Sequence, residues 1–381
     1  MVHQQMQVNI KNSGLTLPFN SNQLERPRAV VLKQRALNNI TRLLSKTNKY
    51  GYEFRPHFKT HQSREIGRWF KKAGVNGITV SSVEMAKYFA DDGWDDITIA
   101  FPFFPGQIDL VNNISENCTL RLIVTNIEIT KWLAKHVNNR VDVMLEIDAG
   151  YDRSGISIND KSLIGEIIVL INESENLNFS GFYIHDGATY KVNSTQEIKN
   201  IISRDLEAFN NLKKEYPDVK YCLGDTPSCS LLDDFGPVNE LSPGNFIFYD
   251  LMQYKIGSCS LDDIAMLVKA PVAQIKTDED QIIIHGGAAH LSKDYILEDD
   301  KPIYGKPVYF DKEQKIKLVD ESSVIALSQE HGIISGAQAM IPYINDDNSI
   351  WICPVHSCLT ANLFSVYHSD ENKKISKRIL S

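Results

Sequence analysis

The chain has 381 residues, 43% hydrophobic and 23% charged, the composition of a globular protein long enough for one large domain or two ordinary ones. Its formal net charge is -8 and no Lys/Arg run is long, which argues against a nucleic-acid or anionic-membrane surface. Residues 1–12 lack an apolar core, and no apolar run approaches the roughly 20 residues of a membrane span, so a cytoplasmic location is expected.

In chain order, a short apolar run, Ala29–Leu32, precedes a helical stripe of Leu37, Ile40, Leu43 and Leu44 that stops near Gly51. Short β-type runs follow at 52–60, 77–82, 96–101, 119–125, 141–148, 179–186, 219–224 and 239–249. Most are separated by helical periodicity, as in Val83–Asp92, Ile127–Val137, Ser162–Asn172 and Ile198–Tyr216. Strand, helix, strand in sequence demands a parallel sheet, and eight such strands predict a closed (β/α)8 TIM barrel over residues 26–257. An open doubly wound sheet competes, but no G-x-G-x-x-G follows the first strand. Beyond residue 260 the runs Ala265–Ile275, Gln281–His285, Lys315–Val319, Val324–Leu327 and Ser349–Cys353 are short and β-rich. They predict a mainly antiparallel β domain over 258–381, joined by the N-terminal segment 1–25. The six cysteines show no paired spacing and read as small buried hydrophobes, with Cys358 argued separately.

In a barrel the chemistry sits at the C-terminal ends of the strands. The first carries Arg55-Pro56-His57-Phe58-Lys59-Thr60-His61-Gln62. If this stretch is a strand, His57, Lys59 and His61 share one face. A lysine crowded by two imidazoles is a candidate for Schiff-base chemistry with a carbonyl cofactor, and a solvated strand end fits as well. Arg153, five residues past Asp148, could set a cation beside a cofactor ring or pair with Asp148 or Asp152. The late turns Gly224-Asp225-Thr226-Pro227 and Pro243-Gly244-Asn245 suit a phosphate cradled by backbone N–H groups, or are simply turns. His356-Ser357-Cys358 offers an imidazole and a thiolate that face one side if the chain is extended, a donor pair for Zn2+ with open positions. Glu330-His331-Gly332 and His285-Gly286-Gly287 add polar candidates, whereas His3, His136, His290 and His368 have no motif around them.

Arg55–His61 resembles the cofactor-lysine motif of the D-threonine aldolase and zinc-dependent D-serine dehydratase group, fold-type III pyridoxal phosphate enzymes related to alanine racemase. The resemblance continues through Asp148-x-Gly150-x-x-Arg153-x-Gly155, His185-x-Gly187-x-x-Tyr190, Gly224-x-Thr226-Pro227, Pro243-Gly244-Asn245-x-x-x-Tyr249-Asp250, Glu330-His331-Gly332 and Pro354-x-His356-x-Cys358. It implies pyridoxal 5'-phosphate on Lys59, with His57 and Tyr249 beside the site, Arg153 by the ring and Tyr183 near its nitrogen. Gly224, Thr226, Gly244 and Asn245 would hold the phosphate, and His356 and Cys358 a divalent metal. A homodimer acting on a small D-amino acid is implied too. The aldolases resemble His-x-Asp where this chain has His-x-Cys, so dehydration of a D-3-hydroxy amino acid such as D-serine is expected. Retro-aldol cleavage of D-threonine, racemisation and non-catalytic cofactor binding are the alternatives. Ala188 and His285 stand where family members carry, respectively, a polar residue and often an acid.

Overall fold

The computed structural model describes residues 23–379. They form two compact units: Val31–Ala265 with the stretch from Ser365 onward, and the part up to Val30 with Met266–Phe364. The division falls at 265, within ten residues of 258, and the last stretch goes with the barrel unit instead of the β domain. The expected role of segment 1–25 concerns residues that, up to 22, lie outside the described ones.

The barrel strands are β1 (Glu53–Phe54), β2 (Ile78–Val80), β3 (Asp96–Pro102), β4 (Thr119–Val124), β5 (Val141–Asp148), β6 (Leu177–Ile184), β7 (Lys220–Leu223) and β8 (Glu240–Leu241). They pair in the order β1-β8-β7-β6-β5-β4-β3-β2, and a parallel bridge between His57 and Thr79 closes the ring from the end of β1 onto β2. Strands buried on both faces explain the near-continuous apolar runs. In β5, Val143, Leu145 and Ile147 are buried on one face, while Met144 on the other packs with Ile123, Tyr183 and Cys222. At the starts of β3 and β8, buried Arg55 pairs with Asp96 at 2.6 Å and with Glu240 at 2.9 Å, and Arg121 also binds Glu240 at 2.9 Å. That network fills the base of the barrel with paired charge, although the buried Nε of Arg121 has no hydrogen-bond partner.

The first and last strands are much shorter than their apolar runs. Pro56 and Pro243 cannot donate to a ladder, so pairing stops near them, and Asn245–Ile247 coil into a 3-10 turn.

In the second unit, Met266–Lys276 pairs antiparallel with Gln281–His285 and with Ser349–Pro354. Gln281–His285 pairs onward with His331–Ser335, and that strand with Ser323–Leu327. Alternating residues such as Val268, Ile282, Ile284, Ile334 and Ile352 build its core. Among the described residues no helix is long and apolar enough to cross a membrane.

Candidate active site

The lysine does not stand on a strand. After the bridge at His57, residues 58–61 turn, with the Gln62 N–H donating to the Phe58 carbonyl at 3.0 Å and Gln62 itself left-handed at φ 46. His57, Lys59 and His61 therefore do not share a face, contrary to the period-2 expectation. Phe58 and His61 are completely buried, packed on each other and on Phe70 and Phe89, with Trp94 against Phe58. His61 is a core residue: its Nδ1 accepts the Ser63 N–H at 3.1 Å, and burial holds its pKa down to about 3. Lys59 is half-buried, at the C-terminal end of β1.

Two neutral imidazoles accompany the amine. His57 accepts the Lys59 backbone N–H on Nδ1 at 3.3 Å. Burial, and then the nearby Lys59 and His185, keep it well below the usual histidine pKa. His185, just past β6, donates from Nδ1 to the Gly224 carbonyl, which leaves an acceptor lone pair on Nε2. Burial first, and Lys59 second, lower its pKa to about 3. Lys59 and Arg153 both act on the two rings, so the rim carries a positive field suited to an anionic group.

Arg153 reaches neither Asp148 nor Asp152. Its guanidinium lies 3.6 Å from Glu146, whose Oε1 also accepts from Ser154 Oγ at 2.9 Å. Asp148 Oδ1 instead accepts the N–H groups of Gly150, Tyr151 and Asp152 at 2.8, 2.9 and 3.2 Å and so shapes the loop. Glu146 is a residue the motif reading missed, although period-2 alternation along β5 puts it on the face of Met144. Burial raises its pKa, opposed by Ser154 and Arg153. Tyr183 is buried in the barrel interior, its pKa pushed well up by burial and then by Cys222 and Glu146.

The two late turns back directly onto the lysine turn. A Cβ on Gly244 would lie 3.0 Å from the His57 carbonyl oxygen and 3.1 Å from His57 Cβ, so a side chain there would crowd the lysine turn. A Cβ on Gly224 would meet the Ser242 carbonyl at 2.6 Å. Thr226 Oγ1 accepts the Phe246 N–H at 3.3 Å, joining the two turns, and the Thr226 N–H donates to Tyr190 Oη at 3.0 Å. Asn245 Nδ2 donates to Asp250 at 2.6 Å. Tyr249 is buried, its hydroxyl 3.0 Å from Ser230 Oγ, and burial, partly offset by Arg42, pushes its pKa up to about 12. Lys59, His57, Gly224, Thr226, Gly244 and Asn245 are thus assembled on one rim. Two close-packed turns bearing Gly224, Thr226, Gly244 and Asn245, an amine and a cation are the donor set that pyridoxal phosphate needs, so the residues fit the group.

In the other unit, the strand ending at Pro354 gives way to a helix, Ser357–Leu363. His356 caps that helix and Cys358 lies in its first turn, so the pair is not on extended chain as expected. His356 Nδ1 is 2.6 Å from Asp294 Oδ2; the carboxylate accepts, which leaves Nε2 as the ligand atom. Cys358 is a half-buried thiol outside any disulfide. An oriented imidazole and a thiol fit a borderline cation such as Zn2+ with positions left for water or substrate.

Residues 32–251 match the family model described as alanine racemase, N-terminal domain, and residues 265–369 the one described as putative serine dehydratase domain. The D-serine dehydratase of Dictyostelium discoideum is 30% identical over 387 residues, covering 92% of this chain and 94% of its own. The D-threo-3-hydroxyaspartate dehydratase of Delftia sp. (strain HT23) is 25% identical over 360 residues, covering 91% and 94%. A solved structure of the latter superposes with a TM-score of 0.85 at 23% identity, over 94% of this chain and 99% of that one. A cysteine-to-alanine mutant of it has been solved in the metal-free form, with the same TM-score at 24% identity and 94% and 99% coverage. With both family models matched in order along one chain, and an amoebal relative alike over nearly its whole length, this protein belongs to the D-serine dehydratase family of alanine-racemase-like, fold-type III pyridoxal phosphate proteins.

Proposed function

We propose that this protein eliminates water from a D-3-hydroxy amino acid, D-serine being the simplest, and releases a 2-oxo acid and ammonia. Pyridoxal phosphate would be held on Lys59 and a divalent cation, Zn2+ by its donor set, on His356 and Cys358. The observation that carries the reading is the half-buried Lys59 in a tight turn, flanked by His57 and His185 held neutral and backed by the bare Cα of Gly244.

When bound, pyridoxal phosphate supplies an electron sink for the pair left by the α-proton, and the cation a Lewis acid for the β-hydroxyl. The rest is the work of side chains. Lys59 Nζ would hold the cofactor carbonyl, and the same amine is the group placed to take the α-proton. His57 and His185 stay uncharged, so neither adds a positive neighbour to the amine. Arg153, tethered by Glu146, keeps a fixed positive charge at the mouth. Asp294 fixes the tautomer of His356, and Cys358 donates as a thiolate. The D-serine dehydratase relative supports the substrate class, and Cys358 in place of an aspartate supports elimination over carbon–carbon cleavage.

The test is a panel of D-3-hydroxy amino acids incubated with the purified protein, before chelation, after chelation and after adding zinc back. A 2-oxo acid and ammonia, lost on chelation and restored by zinc, are expected. Glycine and acetaldehyde from D-threonine would make the enzyme an aldolase, and full activity after chelation would end the metal's role.

A further inference from the structure

A second set of metal-ligand residues lies in the unit Met266–Phe364. His285 ends the strand Gln281–His285, His290 lies in the short helix Ala288–Leu291, and Glu330 precedes the strand His331–Ser335. His285 Nε2 is 3.2 Å and His290 Nε2 3.8 Å from the same oxygen, Glu330 Oε2. One ligand atom from each residue lies within 4.8 Å of the other two. Tetrahedral ligands at about 2.0–2.1 Å from Zn2+ stand about 3.3 Å apart, so the two short edges are within about half an ångström of that value. His285 and Glu330 are the more exposed of the three.

The backbone holds these residues together without a ligand. Gly286 N–H donates to the Glu330 carbonyl at 2.9 Å, Ala288 N–H to Ser328 at 2.8 Å and Ala289 N–H to Gln329 at 3.0 Å. A Cβ on Gly287 would meet the Ser328 and Gln329 carbonyl oxygens at 2.5 Å, so the two segments touch main chain to main chain. The rings of His285 and His290 stand edge to face, 5.3 Å apart. Beyond the contacts to Glu330, the buried Nδ1 of His290 has no hydrogen-bond partner.

We propose that His285, His290 and Glu330 form a second divalent-cation site, of two nitrogens and one oxygen, made of residues other than His356 and Cys358. It takes Zn2+ or Co2+ from solution, with a position open to water, and ties the 285–290 turn to the loop before residue 331.

Metal-stripped full-length protein is dialysed against Zn2+ or Co2+ and the bound metal counted per chain. Wild type is expected to hold two cations and Cys358→Ala one. The doubly changed Cys358→Ala/His290→Ala and Cys358→Ala/Glu330→Gln proteins should hold none. With Co2+, the near-ultraviolet thiolate band belongs to the Cys358 site, so the Cys358→Ala protein should keep only weak visible bands, and Glu330→Gln should remove those. Circular dichroism checks that each variant is folded, and Cys358→Ala/His285→Gln replaces any that is not. One cation in wild type with none in Cys358→Ala overturns the site, as does a cation in Cys358→Ala that survives the loss of His290 and Glu330.

Discussion

The backbone N–H of Lys59 donates to Nδ1 of its neighbour His57 at 3.3 Å, so the lysine turn fixes the tautomer of the imidazole beside its own amine. Borohydride reduction after adding pyridoxal phosphate should therefore attach one pyridoxyl group per chain, on the peptide carrying Lys59. Lys59→Ala should lose both that label and catalysis, the latter by roughly a thousand-fold or more. A label undiminished in Lys59→Ala would move the cofactor to another amine.

Gly244 tests the cradle without touching a charge. Its replacement by Ala puts a methyl 3.0 Å from the His57 carbonyl, and overpacking of this kind costs about 1–3 kcal/mol. Cofactor affinity, read by fluorescence titration, should fall roughly ten-fold while the fold persists. Unchanged affinity would mean that the two turns separate freely.

Much of this architecture was legible because parallel barrel strands are buried on both faces and leave unbroken apolar runs, as in β5. The differences at Lys59, His61 and His356 share one cause: a period-2 pattern does not carry past the end of a strand. Backbone pairing after β1 ends at Phe58, so Lys59 sits in a turn and His61 in the core; the strand before His356 ends at Pro354. Glu146 was hidden in an apolar run, and only its register on β5 betrays it. Pairing between His356 and Asp294, 62 residues apart, has no signature in a one-dimensional pattern.

Asp294 should matter to metal retention more than to folding. Changing it to Asn removes the carboxylate that accepts from His356 Nδ1, and such outer partners are worth roughly 10–100-fold in metal affinity. Competition against a chromophoric chelator should show that loss in Asp294→Asn. An equal affinity in both proteins would dismiss the histidine's orientation as a factor.

His61 predicts an acid sensitivity unrelated to catalysis. Its folded pKa is about 3 and its ordinary value 6.5, with burial as the cause. The unfolded chain binds the extra proton, so stability is full above about pH 6.5 and falls toward pH 3, by about 1.4 kcal/mol per pH unit from this group. His61→Phe abolishes that titration. The urea midpoint of wild type should fall more steeply than that of the variant as pH drops from 7 to 5; parallel lines would remove His61 from the account.

Glu240 works in the opposite sense to the histidine. Burial alone would raise its pKa, but Arg55 and Arg121 outweigh it and bring the carboxyl down to about 2 from 4.5. Its contribution is present above about pH 4.5 and is lost as pH falls toward 2. Glu240→Gln leaves two buried guanidinium groups without their shared anion, which costs about 3–5 kcal/mol at neutral pH. Because protonation does to wild type what the amide does permanently, the stability gap between the two proteins should narrow between pH 4.5 and 3. A gap as wide at pH 3 as at pH 7 would show that the carboxyl oxygen's shape, rather than its charge, holds the barrel base together.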